Sequence, residues 1–164
     1  ILGGSFDPAH KGHLAISKEA RKRFDLKKII WAITKKNPFK KKSDTSVSKR
    51  LKKCKKVIGK NLFIKVKFYE NIIKSNKTIN LINYLSKNKN IKIYFLMGAD
   101  NLINFHKWHK SKLISKKCNI IVFDRHGFKK NSLKSKTFRK LGKSVITFVE
   151  FKKVNITSSQ LRKI

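Results

Sequence analysis

His10 and His13 stand three residues apart at the end of the string Gly3-Gly4-Ser5-Phe6-Asp7-Pro8-Ala9-His10-Lys11-Gly12-His13. Paired glycines let a backbone come close to a ligand with its amides turned outward. A helix opening at this point would add the partial positive charge of its N-terminus, which suits phosphate. Residues three apart at a helix start share a face, so the two imidazoles and the amides together would clamp a phosphate without a lysine. Near the other end, Ile156-Thr157-Ser158-Ser159-Gln160-Leu161-Arg162 offers hydroxyls for a helix start and a guanidinium for phosphate oxygens. Between them, Phe95-Leu96-Met97-Gly98-Ala99-Asp100 leads to Phe105-His106-Lys107-Trp108-His109. Trp108 could be core packing or a platform on which an aromatic ring stacks. Asp100 could cap a helix or bond a ligand, and Asp7 could order the turn before Pro8. No activated Ser or Cys nucleophile pattern is present.

Those residues need a scaffold, and the hydrophobic pattern supplies one. Short β-rich runs occur at Ile1–Gly3, Lys28–Ile33, Leu62–Phe68, Ile91–Met97, Asn119–Phe123 and Val145–Phe151. Stretches of helical period lie among them: His13–Phe24, Val47–Ile58 and Thr78–Leu85. Such alternation predicts an α/β fold, a doubly wound parallel sheet with helices on both faces. The inner strands read as unbroken apolar runs, as buried parallel strands do. Lys35–Ser48 is the longest irregular stretch, and in an open α/β sheet such a loop sits at a strand end, where ligands bind. No linker or repeat is visible, so residues 1–164 are expected to form a single domain.

With 164 residues, 40% of them hydrophobic, the chain can bury a real core, and disordered and fibrous classes are excluded. No apolar run approaches the roughly 20 residues of a membrane span. The first residues lack the basic start and apolar stretch of a signal peptide. Cys54 and Cys118 form no metal pattern and read as plain thiols, which points to the cytoplasm. Both ends read as clipped: the first strand begins abruptly, without Met, and the last helix signal stops at Ile164.

The net charge of +35 could mark a nucleic-acid binder. Of the 43 basic residues only six are Arg, however, and Ile and Asn are abundant at 20 and 13 copies. Lys, Ile, Asn and Phe all have A/T-rich codons, so compositional drift accounts for this profile, while dedicated base readers favour Arg. The lysines are also spread along the whole chain, so no specific nucleic-acid partner is expected.

His10-Lys11-Gly12-His13 resembles the His-x-Gly-His signature of the nucleotidylyltransferase superfamily. Residues 156–162 are similar to that superfamily's second signature, with conservative changes. Gly98-Ala99-Asp100 with Trp108-His109, together with Asn37-Pro38-Phe39-Lys40, Arg50 and Thr78, resembles the bacterial nicotinate-nucleotide adenylyltransferases. That family usually carries Tyr-Thr-x-Asp-Thr-Leu around Thr78, and this chain departs from it with Lys77, Asn80 and Leu81. The resemblance covers roughly residues 1–162. It implies a Rossmann-like fold and transfer of the adenylyl group of ATP to nicotinate mononucleotide, giving deamido-NAD and pyrophosphate by direct in-line attack. His10, His13 and Arg162 would be catalytic. Gly3, Gly4, Ser5, Phe6, His10, His13, Gly98, Asp100, Ser158, Ser159 and Arg162 would hold ATP. Lys40, Thr78, Asp100, Trp108, His109 and Arg125 would seat the mononucleotide. Magnesium would come with ATP, held through its phosphates, with no dedicated metal site. Other small nucleotidylyltransferases, such as one acting on phosphopantetheine, share the first signature without needing the Trp-His element. A basic nucleic-acid-binding domain with a degenerate site is the rival from another class.

If the charge is drift, neutralising Lys87, Lys89 and Lys134 leaves turnover unchanged at physiological salt, because screening beyond about 8 Å mutes them. Steady-state rates of the triple Lys→Gln variant check this; a large loss, or tight salt-sensitive binding to random RNA, revives the nucleic-acid reading.

Overall fold

The computed structural model describes residues 1–35, 45–88, 90–124, 128–142 and 144–151. It divides into two compact units, one built on Ile1–Asn76 and the other on Lys77–Lys152.

The first unit runs β1 (Leu2–Gly4), α1 (Lys11–Phe24), β2 (Ile29–Ile33), α2 (Val47–Ile58), β3 (Ile64–Lys67) and α3 (Glu70–Ile73). Its strands pair in parallel, Leu2 opposite Trp31 and Ile29 opposite Ile64. Parallel neighbours need a crossover, and α1 and α2 provide the two. Ile29, Trp31, Ala32 and Ile33 are all buried, because β2 is covered on both faces. β3 alternates instead, with Ile64 buried and Lys65 and Lys67 exposed. Local chemistry ends each crossover helix. After a last turn of Arg21, Lys22 and Arg23, α1 stops at Asp25 in the left-handed region, φ 46°. α2 begins on the Ser46 hydroxyl, which accepts from the Lys49 amide, and stops at Gly59, φ 52°.

The second unit runs α4 (Thr78–Leu85), β4 (Tyr94–Gly98), α5 (Ala99–Ile103), a 3₁₀ turn (Phe105–Lys107), α6 (Ser111–Lys117), β5 (Asn119–Phe123), α7 (Lys129–Leu133), α8 (Lys136–Leu141) and β6 (Ile146–Val149). Tyr94 pairs with Asn119 and Ile120 with Ile146, again in parallel. Ile120, Ile121, Val122 and Phe123 are buried without alternation, and Phe105, Leu102 and Ile114 pack in the same core. Among the described residues no helix is long and apolar enough to cross a membrane.

All six expected strands are present: β5 has the expected bounds, β1 lies one residue later, β2, β3 and β6 are narrower, and β4 starts three residues later and ends one later. Leu62 and Ile91, counted into strands from their side chains, are 89% and 49% exposed and precede β3 and β4. An apolar run reports hydrophobicity; the ladder is set by backbone pairing, which starts two or three residues later here. α1 opens at Lys11 rather than His13, for a reason that lies in its cap. Helices α3, α5, α7 and α8 span four to six residues each, too short to show a 3.6-residue period.

Both cysteines are buried, as expected. Burial pushes the Cys54 thiol up to about 12 and the Cys118 thiol up to about 11. Cys118 also donates to the Ile114 carbonyl at 3.2 Å. Iodoacetamide at about pH 8 should therefore leave both thiols unmodified in the native protein and alkylate both in urea, since the thiolate is the reactive form. Mass spectrometry counts the adducts; rapid native labelling of either would show that it is not held in the core.

Candidate functional site

The first turn of α1 is built by the two histidines themselves. His10 is the N-cap in extended backbone, and its Nδ1 accepts from the Gly12 amide at 3.1 Å. In return His13 Nδ1 accepts from the His10 amide at 3.3 Å. This is a reciprocal capping box in which imidazoles replace the usual hydroxyl and carboxylate. A ring nitrogen that accepts carries no proton, so the network assigns both neutral rings the tautomer with the proton on Nε2. Each ring then presents an N–H donor, and the centroids lie 3.9 Å apart. His10 is buried and His13 half-buried.

Below them the rings continue. Phe6 packs against His13 with centroids 4.7 Å apart and lies flat on Trp31 at 5.0 Å and 16°. Phe6 is 1% exposed and sits at φ 49°, a left-handed conformation unusual for a bulky residue. The left-handed turn of this loop thus falls on Phe6 rather than on a glycine. A Cβ at Gly4 would meet only the Phe6 ring, at an ordinary 3.6 Å. Among the described residues neither backbone angle nor packing demands glycine at that position.

Arg50 fixes the loop from behind. Its side chain is buried to 1% exposure, and its guanidinium donates to the carbonyls of Ser5 at 2.6 Å, Thr34 at 2.8 Å, Thr45 at 3.0 Å and Lys35 at 3.5 Å. Burial lowers its pKa, an effect opposed by the nearby Asp7 and Glu70 carboxylates. Glu70, in the first turn of α3, accepts from the Lys35 amide at 3.2 Å, and burial raises its pKa. Asp7 is itself 5% exposed and precedes Pro8 through a cis peptide.

In the second unit, β4 ends at Gly98, which is the N-cap of α5, and Asp100 lies in that helix's first turn, half-buried. Asp100 is therefore not the cap itself. Thr78 opens α4, half-buried, and His109 is exposed. Trp108 follows the 3₁₀ turn, with its edge against Phe95 at 5.9 Å and 88° and its ring tilted on Phe105 at 5.3 Å. It packs on core aromatics and is half-buried. His106 holds the turn in place: its amide donates to Thr137 Oγ1 at 3.0 Å, and its Nδ1 lies 3.2 Å from the same oxygen. Lys40, Arg125, Ser158, Ser159 and Arg162 lie outside the described residues.

Trp31, Ser17 and Thr137 carried no signal in the sequence. All three are wholly or almost wholly buried. Their importance comes from partners 14 and 31 residues away, which no local pattern displays.

Comparison with known proteins places this geometry. A cytidylyltransferase-like family model matches residues 1–164. A protein of Pelagibacter ubique named a probable nicotinate-nucleotide adenylyltransferase is 66% identical over 100% of this chain and 91% of its own length. One of the same name from Clostridium botulinum is 34% identical over 99% of this chain and 83% of its own. Among solved structures, the Plasmodium falciparum nicotinic acid mononucleotide adenylyltransferase complexed with NaAD superposes with a TM-score of 0.76 at 21% identity, covering 99% of this chain and 80% of that one. The likeness at that identity establishes the fold, a Rossmann-like α/β fold of the nucleotidylyltransferase type, as the sequence predicts.

Replacing Arg50 by Ala strands four carbonyls and should lower unfolding stability by about 3 kcal/mol or more. Arg50→Lys restores one donor and should recover only part of that, since an ammonium cannot span the fork. Urea titrations measure both; an Arg50→Ala protein within about 0.5 kcal/mol of wild type, as for a plain surface change, would show that the clamp is dispensable.

Proposed function

The chain belongs to the cytidylyltransferase-like family and, within it, to the nicotinate-nucleotide adenylyltransferases, and on that premise we propose that it transfers the adenylyl group of ATP to nicotinate mononucleotide, giving deamido-NAD and pyrophosphate. The observation that carries the site assignment is the reciprocal cap of His10 and His13. It fixes two Nε2–H donors side by side at a helix N-terminus, beside a loop whose Gly4 has no packing reason to be bare.

The mononucleotide phosphate oxygen attacks the α-phosphorus of ATP in line. A bond forms from that oxygen to phosphorus as the bond to the bridging oxygen of pyrophosphate breaks, and no bond to the protein is made. The protein's work is then orientation and charge stabilisation. The Gly3–Phe6 backbone approaches ATP, held in register by Arg50 through the Ser5 carbonyl. His10 and His13 donate to phosphate oxygens, and His13 meets the charge that develops as the bond to pyrophosphate breaks. Gly98 and Asp100 face the nucleotide, and Ser158, Ser159 and Arg162 grip the departing pyrophosphate. Thr78, Trp108, His109, Lys40 and Arg125 seat the mononucleotide, with the pyridine ring stacked on Trp108. Among the described residues no group of three or more His, Cys, Asp or Glu could hold a metal ion. Magnesium would arrive with ATP, held through phosphate oxygens and water, where it would neutralise phosphate charge. We read residues 1–164 as a single domain, and the cytoplasm, where ATP and reduced thiols are found, as its place.

A ring carboxylate accepts from backbone amides, whereas an amide brings donors that would stay unpaired; a site built on hydrogen bonds rejects such a mismatch strongly. Pyrophosphate release with ATP plus nicotinate mononucleotide, set beside ATP plus nicotinamide mononucleotide, tests the proposal, and the first pair should be clearly preferred. Trp108→Ala should raise KM for the mononucleotide far more than for ATP. Equal use of the two mononucleotides, or a Trp108→Ala defect confined to ATP, would overturn the substrate assignment.

A further inference from the structure

We propose that Trp31 is a positioning residue for this reaction, acting through Ser17 and Phe6 to hold the His13 imidazole. The proposal rests on the phosphate-donor role given to His13 above. Trp31 lies in β2 at 0% exposure, where Ile, Leu or Phe would fill a core without bringing a polar atom. A buried indole N–H needs an acceptor, and Trp31 Nε1 donates to Ser17 Oγ at 2.8 Å. Ser17 is also at 0% exposure, and its own proton goes to the His13 carbonyl at 2.9 Å. The chain of bonds has one direction: indole N–H to hydroxyl, hydroxyl to the backbone of His13.

The second path runs through rings. Phe6 lies flat on the indole at 5.0 Å and packs against the His13 ring at 4.7 Å, and the His13 and Trp31 centroids are 5.8 Å apart. The ring of His13 also accepts from the His10 amide through Nδ1, a single contact of 3.3 Å, and lies 3.9 Å from the His10 ring. The aromatic wall adds to that hold. His13 is thus held at its backbone and at its ring by two routes that begin on one side chain. Phe6 is held too: the flat contact with Trp31 is what keeps a bulky residue in a left-handed conformation. A loss at Trp31 would therefore release the ring of His13 and the ATP loop together.

Two mild variants cut the hydrogen-bond route and leave an aromatic wall in place. Trp31→Phe keeps a flat ring and removes the N–H; Ser17→Ala breaks the bond chain and leaves every ring. Each should lower kcat about tenfold, the net worth of one hydrogen bond, with KM for both substrates unchanged. In a His13→Ala background neither should lower kcat further, because a residue that acts through His13 has nothing left to position. Long-range ¹⁵N NMR of the histidine rings gives a readout independent of turnover: the proton sits on Nε2 of His13 in the wild type and exchanges between tautomers in both variants. Additive losses in the double mutants, or a lowered Tm with unchanged kcat and an unchanged His13 tautomer, would reduce Trp31 to core packing and overturn the proposal. If the wild type released no pyrophosphate with either mononucleotide, the functional reading would fall while the NMR comparison still decided the role of Trp31.

Discussion

Arg50 joins three stretches of chain through four carbonyls: the loop after β1, two successive residues after β2, and the residue before the cap of α2. A guanidinium suits this because it carries five donors in a rigid plane and stays charged when buried. The carbonyls it reaches all belong to chain ends and turns, where the ladder hydrogen bonds stop. Without a donor these partly buried carbonyls would lose their partner, a cost that can exceed what a hydrogen bond returns. The same group therefore satisfies the edge of the sheet and sets the height of the Gly3–Phe6 loop above it. Asp7 and Glu70 lie close enough to favour its charge, so two of the chain's eight acids are committed behind the nucleotide loop rather than on the surface.

From that loop the site is assembled by aromatic contact as much as by polar bonds. Four rings (His10, His13, Phe6 and Trp31) follow one another from the cap of α1 into the core. The cap bonds select the tautomer, and the rings beneath select the orientation. Such a division suits a reaction in which no side chain becomes covalently bound and the enzyme's contribution is geometry held in advance.

Much of this was legible in the sequence because it is local. The Gly-Gly loop, the paired histidines, the six apolar runs and the Gly98–Trp108 segment are contiguous strings, and each lies where its pattern places it. What stayed hidden was non-local or short. Arg50 stands out in the sequence only through the family resemblance, and its clamp on four carbonyls appears only in the folded chain. Trp31 reads as one more apolar residue of a buried strand, and its hydrogen bond to Ser17 spans 14 residues. The start of α1 was misplaced by two residues because His10 is not an expected N-cap; only in the folded chain does its ring turn back onto Gly12. Leu62 and Ile91 widened the expected strands because their exposure cannot be read from their chemistry.

The lysines of β3 carry a consequence of their own. β3 stands at the end of the strand order and pairs with β2, and Lys65 and Lys67 project from it into solvent. An open strand edge is a template on which another extended chain can add itself, and natural sheets guard such edges with charge. Two like-charged copies of β3 cannot lie side by side without bringing their ammonium groups together. Lysine at these two positions thus supplies a guard against edge-to-edge aggregation where a parallel sheet is most exposed to it.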